Sequence, residues 1–192
     1  MKPLILSAPY PRTLELIFAP EKLNQLHATY DVLETTDDAL GGLPDEVLAR
    51  ARYILGQPPL SAETLERLTQ LRAVLNVESN LLDNMPYARL FERGIHVLTT
   101  GAVFAVPVAE LGLGLALDLA RGISKADQDF QQGREKWGGD GNAQARLLSG
   151  AQVGLIGYGD LGRALRRVLA GFGCRTSGSR AGGRRVGRGG GD

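Results

Sequence analysis

AQVGLIGYGDLGRALRRVLAGF, Ala151 to Phe172, reads as three consecutive pieces of one structural unit. Val153 to Ile156 is an apolar run of strand length, Gly157, Gly159 and Gly162 spell G-x-G-x-x-G, and Leu161, Leu165, Val168 and Leu169 recur at the helical period. In such a strand-turn-helix the first glycine permits a sharp turn and the second lets a pyrophosphate approach bare backbone. The third lets the helix pack close on the strand, with the phosphates at the helix N-terminus. Gly157, Tyr158, Gly159, Asp160, Leu161 and Gly162 are therefore the candidate cofactor-binding residues, and the ligand is a dinucleotide. A full fingerprint also asks for an acidic residue about 20 positions on, at the end of a second strand. The sequence signals neither.

Beyond Phe172 the chain continues as GCRTSGSRAGGRRVGRGGGD. Residues 174–192 hold seven glycines and five arginines, with Ala181 and Val186 the only ordinary aliphatics. A segment of this kind buries too little apolar surface to offset its ordering entropy, so disorder is expected over 174–192. Arginine-glycine runs such as Arg188 to Gly191 can bind RNA loosely. The abrupt loss of periodicity inside a structural unit favours another origin, a reading-frame change near Cys174, because arginine, glycine and alanine all have GC-rich codons.

Upstream, Ser124 to Gly150 is a polar connecting segment whose Trp137 is expected to pack its ring on the domain. Before it, VFAVPVAELGLGLALDLARGI (Val103 to Ile123) predicts a helix over 107–121 with Pro107 in its first turn. Apolar residues occupy nearly every face, so the helix is expected to be buried between domains or in a subunit interface. Gly112 and Gly114 each cost about 1 kcal/mol there and suggest close approach by another backbone. The run reads as too short and too charged, with Glu110, Asp118 and Arg121, to cross a bilayer. Glu110 lies near the helix start, where a carboxylate serves the dipole.

From Leu4 to Thr100 short apolar runs alternate with helical patterns. Leu4 to Ala8, Asp31 to Thr35, Arg52 to Gly56, Arg72 to Val77 and Ile95 to Thr100 read as strands, with helices at Glu21 to Tyr30, Pro44 to Ala51, Ala62 to Leu71 and Met85 to Arg93. Ser61 is placed to cap the third helix, with Glu63 in its first turn. Strand and helix in alternation predict an α/β fold, with a flavodoxin-like parallel sheet over 1–101, followed by the first part of a Rossmann lobe over 102–173.

Composition bounds the function classes. The 192 residues are 43% hydrophobic, enough for a core. The net charge of +1 conceals a body of residues 1–173 with 17 basic against 20 acidic side chains, which argues against a nucleic-acid surface. One cysteine, Cys174, cannot close an internal disulfide, and the apolar run in MKPLILSAPYPR is too short for a signal peptide. A cytoplasmic location is expected, with no membrane or nucleic-acid partner. No metal site is assigned, and His27 and His96 read as structural.

Four stretches in this order, LRAVLNVESNLLDNM with Asp83 and Asn84, ERGIHVLTTGA, the VAE of Val108 to Glu110 opening ALDLAR, and VGLIGYGDLGRAL, resemble the D-isomer-specific 2-hydroxyacid dehydrogenases, the group of glycerate, hydroxypyruvate and phosphoglycerate dehydrogenases. The resemblance runs from about Leu4 to Gly173. It implies an N-terminal lobe that supports the substrate, a Rossmann lobe for NAD or NADP, hydride transfer with a 2-keto or 2-hydroxy acid, and a homodimer in the complete protein. It places substrate contacts at Ser79, Asn80 and Leu81, where the family's glycine-rich loop stands without its glycines and is followed by Leu82. The family's acid/base histidine, its orienting glutamate and its carboxylate-binding arginine match no position in this sequence, so no catalytic residue is assigned.

Overall fold

The computed structural model describes residues 2–179 and 185–186, and the chain divides into two compact units, Met1–Thr100 and Gly101–Asp192. The first unit runs β1 (Leu4–Ala8), α1 (Leu14–Ile17), α2 (Pro20–Thr29), β2 (Asp31–Glu34), α3 (Asp37–Leu40), α4 (Asp45–Arg50), β3 (Ala51–Gly56), α5 (Ala62–Arg67), β4 (Ala73–Leu75), α6 (Tyr87–Glu92) and β5 (His96–Leu98). All strand pairs are parallel and the order is β2-β1-β3-β4-β5, the flavodoxin-like winding expected from the alternating pattern.

Because successive side chains of a strand point to opposite faces, each central strand feeds two cores. Leu4 and Leu6 of β1, Ile54 of β3 and Val74 of β4 join Leu48, Leu65, Leu68 and Leu90 on one face. Ile5 and Leu55 meet Leu14 and Val77 on the other, with α2 contributing Leu23 and Leu26. A sheet covered on both faces explains why these strands read as unbroken apolar runs. Ser61 caps α5 as expected, its Oγ accepting from the Thr64 N–H at 2.9 Å, and Thr36 caps α3 in the same way from Ala39. The short helices α1 and α3 lacked enough residues to show a helical period.

The second unit holds α7 (Gly101–Arg121), α8 (Ile123–Gln131), α9 (Gly139–Asn142), β6 (Gln152–Ile156), α10 (Asp160–Ala170), β7 (Arg175–Ser179) and β8 (Arg185–Val186). Several expectations are corrected here. First, α7 begins at Gly101, so Pro107 lies inside the helix rather than in its first turn. Proline in the interior loses one backbone donor and crowds the carbonyl four residues before it. Second, the chain itself buries only one side of α7. Gly101, Ala105 and Ala109 are buried, whereas Val103, Val106, Leu111, Leu115 and Leu119 are exposed. At 21 residues, with an 18-residue window of mean hydropathy 1.8, the helix is, by length and composition alone, long and apolar enough to cross a membrane, contrary to the expectation that it is too short. Its small residues nevertheless form a stripe against α10. Ala105 and Ala109 cluster with Ala164, Leu165 and Val168, and a Cβ on Gly112 would lie 3.5 Å from Leu165. Gly112 therefore faces a side chain rather than a backbone, and no described residue lies within 4 Å of a Cβ on Gly114.

Third, the second strand of the nucleotide unit is present. β7 pairs in parallel with β6, Gln152 to Ile156 against Arg175 to Ser179, and β8 adds an antiparallel edge. Residues 175–179 are thus ordered, contrary to the disorder expected from 174 onward. Residues 180–184 and 187–192 of that expectation lie outside the described residues. A ladder is made by backbone groups, so apolar side chains are not required where one face stays open. Thr176 and Gly178 are the half-buried positions of β7, and Gly178 lies against Tyr158, where a Cβ would stand 2.8 Å from Cδ2 of the ring. Trp137 is 79% exposed and does not pack its ring as expected.

Candidate nucleotide and substrate sites

The glycine turn is built as its spacing demands. β6 ends at Ile156, Gly157 takes φ +92°, and α10 starts at Asp160 with Gly159 as its N-cap residue. The positive φ at Gly157 is a conformation that side-chain-bearing residues rarely adopt. A Cβ on Gly162 would sit 2.4 Å from the Gly157 carbonyl oxygen, so only glycine lets the helix close on the turn. A Cβ on Gly159 would meet no described residue within 4 Å, which leaves its backbone open among the described residues. Arg163 N–H donates to the Gly159 carbonyl at 3.0 Å, and the N–H groups of Asp160, Leu161 and Gly162 precede any intrahelical partner. Free donors, the positive end of the dipole and an open approach fit a pyrophosphate.

The side chains in the turn take other roles. Tyr158 is buried, its hydroxyl accepting from Arg166 Nη1 at 2.9 Å, so its ring braces α10 and β7 and only its backbone faces the turn. Asp160 accepts from Arg163, an ion pair that offsets a carboxylate beside an anion site. Leu161 is half-buried and offers its N–H. At the end of β7 the described residue is Ser179, which brings no carboxylate. Cys174 is a free thiol whose Sγ lies 3.1 Å from the Leu148 carbonyl.

Ser79, Asn80 and Leu81 lie exposed in the loop after β4, at the carboxyl end of the parallel sheet where α/β folds bind ligands. The sequence reading missed the residue that shapes this loop, Asn76, which is 3% exposed. Its Oδ1 accepts from the Glu78 N–H at 2.9 Å and its Nδ2 donates to the Asn80 carbonyl at 2.7 Å. An asparagine that bonds the backbone two residues on is a turn builder, and its place directly after an apolar strand was the available signal. With that brace in place, the N–H groups of Ser79, Asn80 and Leu81 donate to no described residue. Glu78 pairs with Arg12 from the loop after β1 at 2.7 Å. Tyr87 Oη donates to the Leu82 carbonyl at 2.5 Å, and Asn84 Nδ2 to the Gln57 carbonyl at 2.9 Å, which fix the loop's far end. His27, His96 and Glu110 are exposed and join neither constellation.

Residues 113–186 match the model of the D-isomer specific 2-hydroxyacid dehydrogenase NAD binding domain. The chain is 33% identical over 130 residues to glyoxylate/hydroxypyruvate reductase HPR3 of Arabidopsis thaliana, covering 67% of this chain and 39% of that protein. It is 37% identical over 94 residues to hydroxypyruvate reductase of Thermotoga maritima, covering 49% of this chain and 30% of the relative. It thus spans less than half the length of these curated relatives. Among solved structures, a phosphoglycerate oxidoreductase from Rhizobium etli shares 59% identity at a TM-score of 0.82 over 95% of this chain and 57% of that one. Glycine turn, flavodoxin-like sheet and these likenesses agree, and the chain belongs to the D-isomer-specific 2-hydroxyacid dehydrogenase family.

Proposed function

We propose that the complete-length protein is an NAD(P)-dependent oxidoreductase acting on a small 2-keto or 2-hydroxy acid. The observation that carries this reading is the turn at Gly157 to Gly162, where a Cβ on Gly162 has no room and one on Gly159 meets no described residue. NAD or NADP, when bound, supplies or accepts the hydride. The N–H groups of Gly159, Asp160, Leu161 and Gly162 hold its phosphates, with Arg163 neutralising Asp160. Ser79, Asn80 and Leu81 offer their N–H groups to the substrate carboxylate, and Asn76 holds them in that arrangement. The protein works in the cytoplasm.

The 192-residue chain itself binds nucleotide without turnover, because none of its residues matches the acid/base histidine, the orienting glutamate or the substrate-binding arginine. NADH fluorescence titration of the purified chain should saturate, while NADH oxidation with glyoxylate, hydroxypyruvate or pyruvate stays at the buffer rate. Clear oxidation would refute the inactive reading, and absence of saturable binding would refute the nucleotide site. Resequencing the gene from the codon for Gly150 and reading all three frames tests the frame change. A frame that supplies a strand ending in an acidic residue, then an arginine, a glutamate and a histidine, supports it.

The exposed apolar side of α7 favours a second reading, a dimerisation module that pairs two copies through Val106, Leu111 and Leu115. A homodimer in sedimentation, reduced to monomer by Leu111→Glu, is the expected result, and a monomer at all concentrations counts against it.

A further inference from the structure

The amino-terminal edge of the five-stranded sheet carries a second constellation, at the opposite end of the strands from the Asn76 loop. Arg52 is the second residue of β3 and Arg72 immediately precedes β4. Tyr53 registers with Ala73, and the Arg72 N–H donates to the Arg52 carbonyl at 2.8 Å, so the two arginines stand side by side on neighbouring parallel strands. Adjacent strands lie about 4.8 Å apart, and like charges facing one another across that gap are destabilising. Both arginines line a cleft of about 300 Å³ together with Arg93, Thr69 and Gln70, and among the described residues no carboxylate lines it.

The other arginines of this unit have internal partners. Arg12 pairs with Glu78, Arg50 with Asp31, Arg67 with Asp45 and Arg89 with Glu66. Arg93 donates to the carbonyls of Leu65 and Leu68 at 2.5 and 2.7 Å, which fixes its guanidinium at the end of α5 without neutralising it. The side chains of Arg52 and Arg72 have no hydrogen bond or ion pair among the described residues, and neither has the Gln70 amide. Two uncompensated guanidinium groups therefore open into the same cleft as a third that is anchored in place.

We propose that this cleft binds a phosphate group, as the free dianion or on a small phosphomonoester. Guanidinium forks match the several terminal oxygens of phosphate in bidentate fashion, and a dianion relieves the repulsion between Arg52 and Arg72. Arg93 acts as the fixed charge, and the free Gln70 amide supplies a neutral donor. The ligand sits at the end of the sheet away from the substrate loop, so occupancy does not compete with a 2-keto acid.

The test is site-resolved. The full 192-residue chain, labelled with nitrogen-15, is titrated with inorganic phosphate at constant ionic strength and pH 7.5, with acetate as the monovalent control. Saturable shifts are expected at the amides of Gln70, Arg72 and Gly94, with half-saturation at about 1 mM, an affinity of the order set by a few exposed charge-assisted contacts. Arg52→Gln and Arg72→Gln should each weaken binding roughly tenfold, the loss expected for one charge-assisted contact, and the double variant should abolish it. A phosphomonoester, glycerol phosphate, should shift the same amides. Phosphate response at Gly157 to Gly162 reports the glycine turn and should persist in the double variant. Absence of saturation at Gln70, Arg72 and Gly94, an equal response to acetate, or a response unchanged in the double variant overturns the proposal.

Discussion

Replacing Gly162 by alanine separates steric fit from helix propensity. In a helix interior alanine is favoured over glycine by about 1 kcal/mol, so on propensity alone the change stabilises. Here the added Cβ would stand 2.4 Å from the Gly157 carbonyl oxygen and 3.3 Å from its carbon, against the 3.4 Å at which ordinary contact begins. Both atoms are backbone, held by the β6 ladder and by the Gly157 N–H, which donates to Ser179 at 3.0 Å. The start of α10 must therefore retreat by roughly an ångström, and overpacking of this kind costs about 1–3 kcal/mol. The net loss is up to about 2 kcal/mol in the second unit once the propensity gain is subtracted. The matched control is Gly114→Ala in α7, where no described residue lies within 4 Å of the new Cβ and the propensity gain of about 1 kcal/mol stands alone. Urea unfolding followed by far-ultraviolet circular dichroism reads both variants, and NADH titration should show affinity for Gly162→Ala down at least about tenfold, the equivalent of 1.4 kcal/mol. A Gly162→Ala midpoint at or above that of the parent chain, with NADH affinity unchanged, would refute the reasoning.

Gly178→Ala places a Cβ 2.8 Å from the Tyr158 ring and should cost the second unit about 1–2 kcal/mol; an unchanged midpoint would mean that β7 does not pack on that ring. Arg67→Met removes hydrogen bonds to Asp45 and to the carbonyls of Gly41 and Leu43, and a loss of about 2–3 kcal/mol in the first unit is expected in urea titration, with no effect on NADH binding. Ser61→Ala leaves the Thr64 N–H without its cap and should cost about 1 kcal/mol in the same assay. Burial, and then the charge of Asp38, raise the Asp37 carboxyl above its ordinary value of 3.8, and its Oδ1 is buried without a partner among the described residues. Ionised Asp37 therefore opposes folding above the raised value, and this penalty fades as pH falls through that value toward 3.8. Asp37→Asn should be more stable than the parent at pH 7, with the difference shrinking on the acid side; a difference that grows on acidification would reverse the assignment.

Much of the first unit was legible from its residues because its signals are local and redundant. Leu4–Ala8 is apolar at every position but Ser7 since β1 is covered on both faces, and Ser61 with Glu63 marks a helix start whose bond needs only three residues. The glycine turn was legible for the same reason: at Gly157 and Gly162 the backbone itself excludes other residues. Three features depended on what the fold packs around them. β7 was hidden because hydrophobicity was the criterion and RTSGS supplies none; its order comes from backbone bonds to β6 and from a Tyr158 ring that accepts glycine beneath it. Asn76 looked like an ordinary polar residue after a strand until the fold buried it under its own loop. The composition of α7 called for burial on all sides, and only the packing of Ala105, Ala109 and Gly112 on α10 decided which side the chain itself covers. Sequence by itself thus determined the order and kind of most elements and the backbone geometry of the turn, since these rest on period, capping and backbone sterics. Which polar groups are buried, which apolar face is left open and which arginines stand uncompensated were decided by tertiary structure, because each depends on what the fold brings beside them.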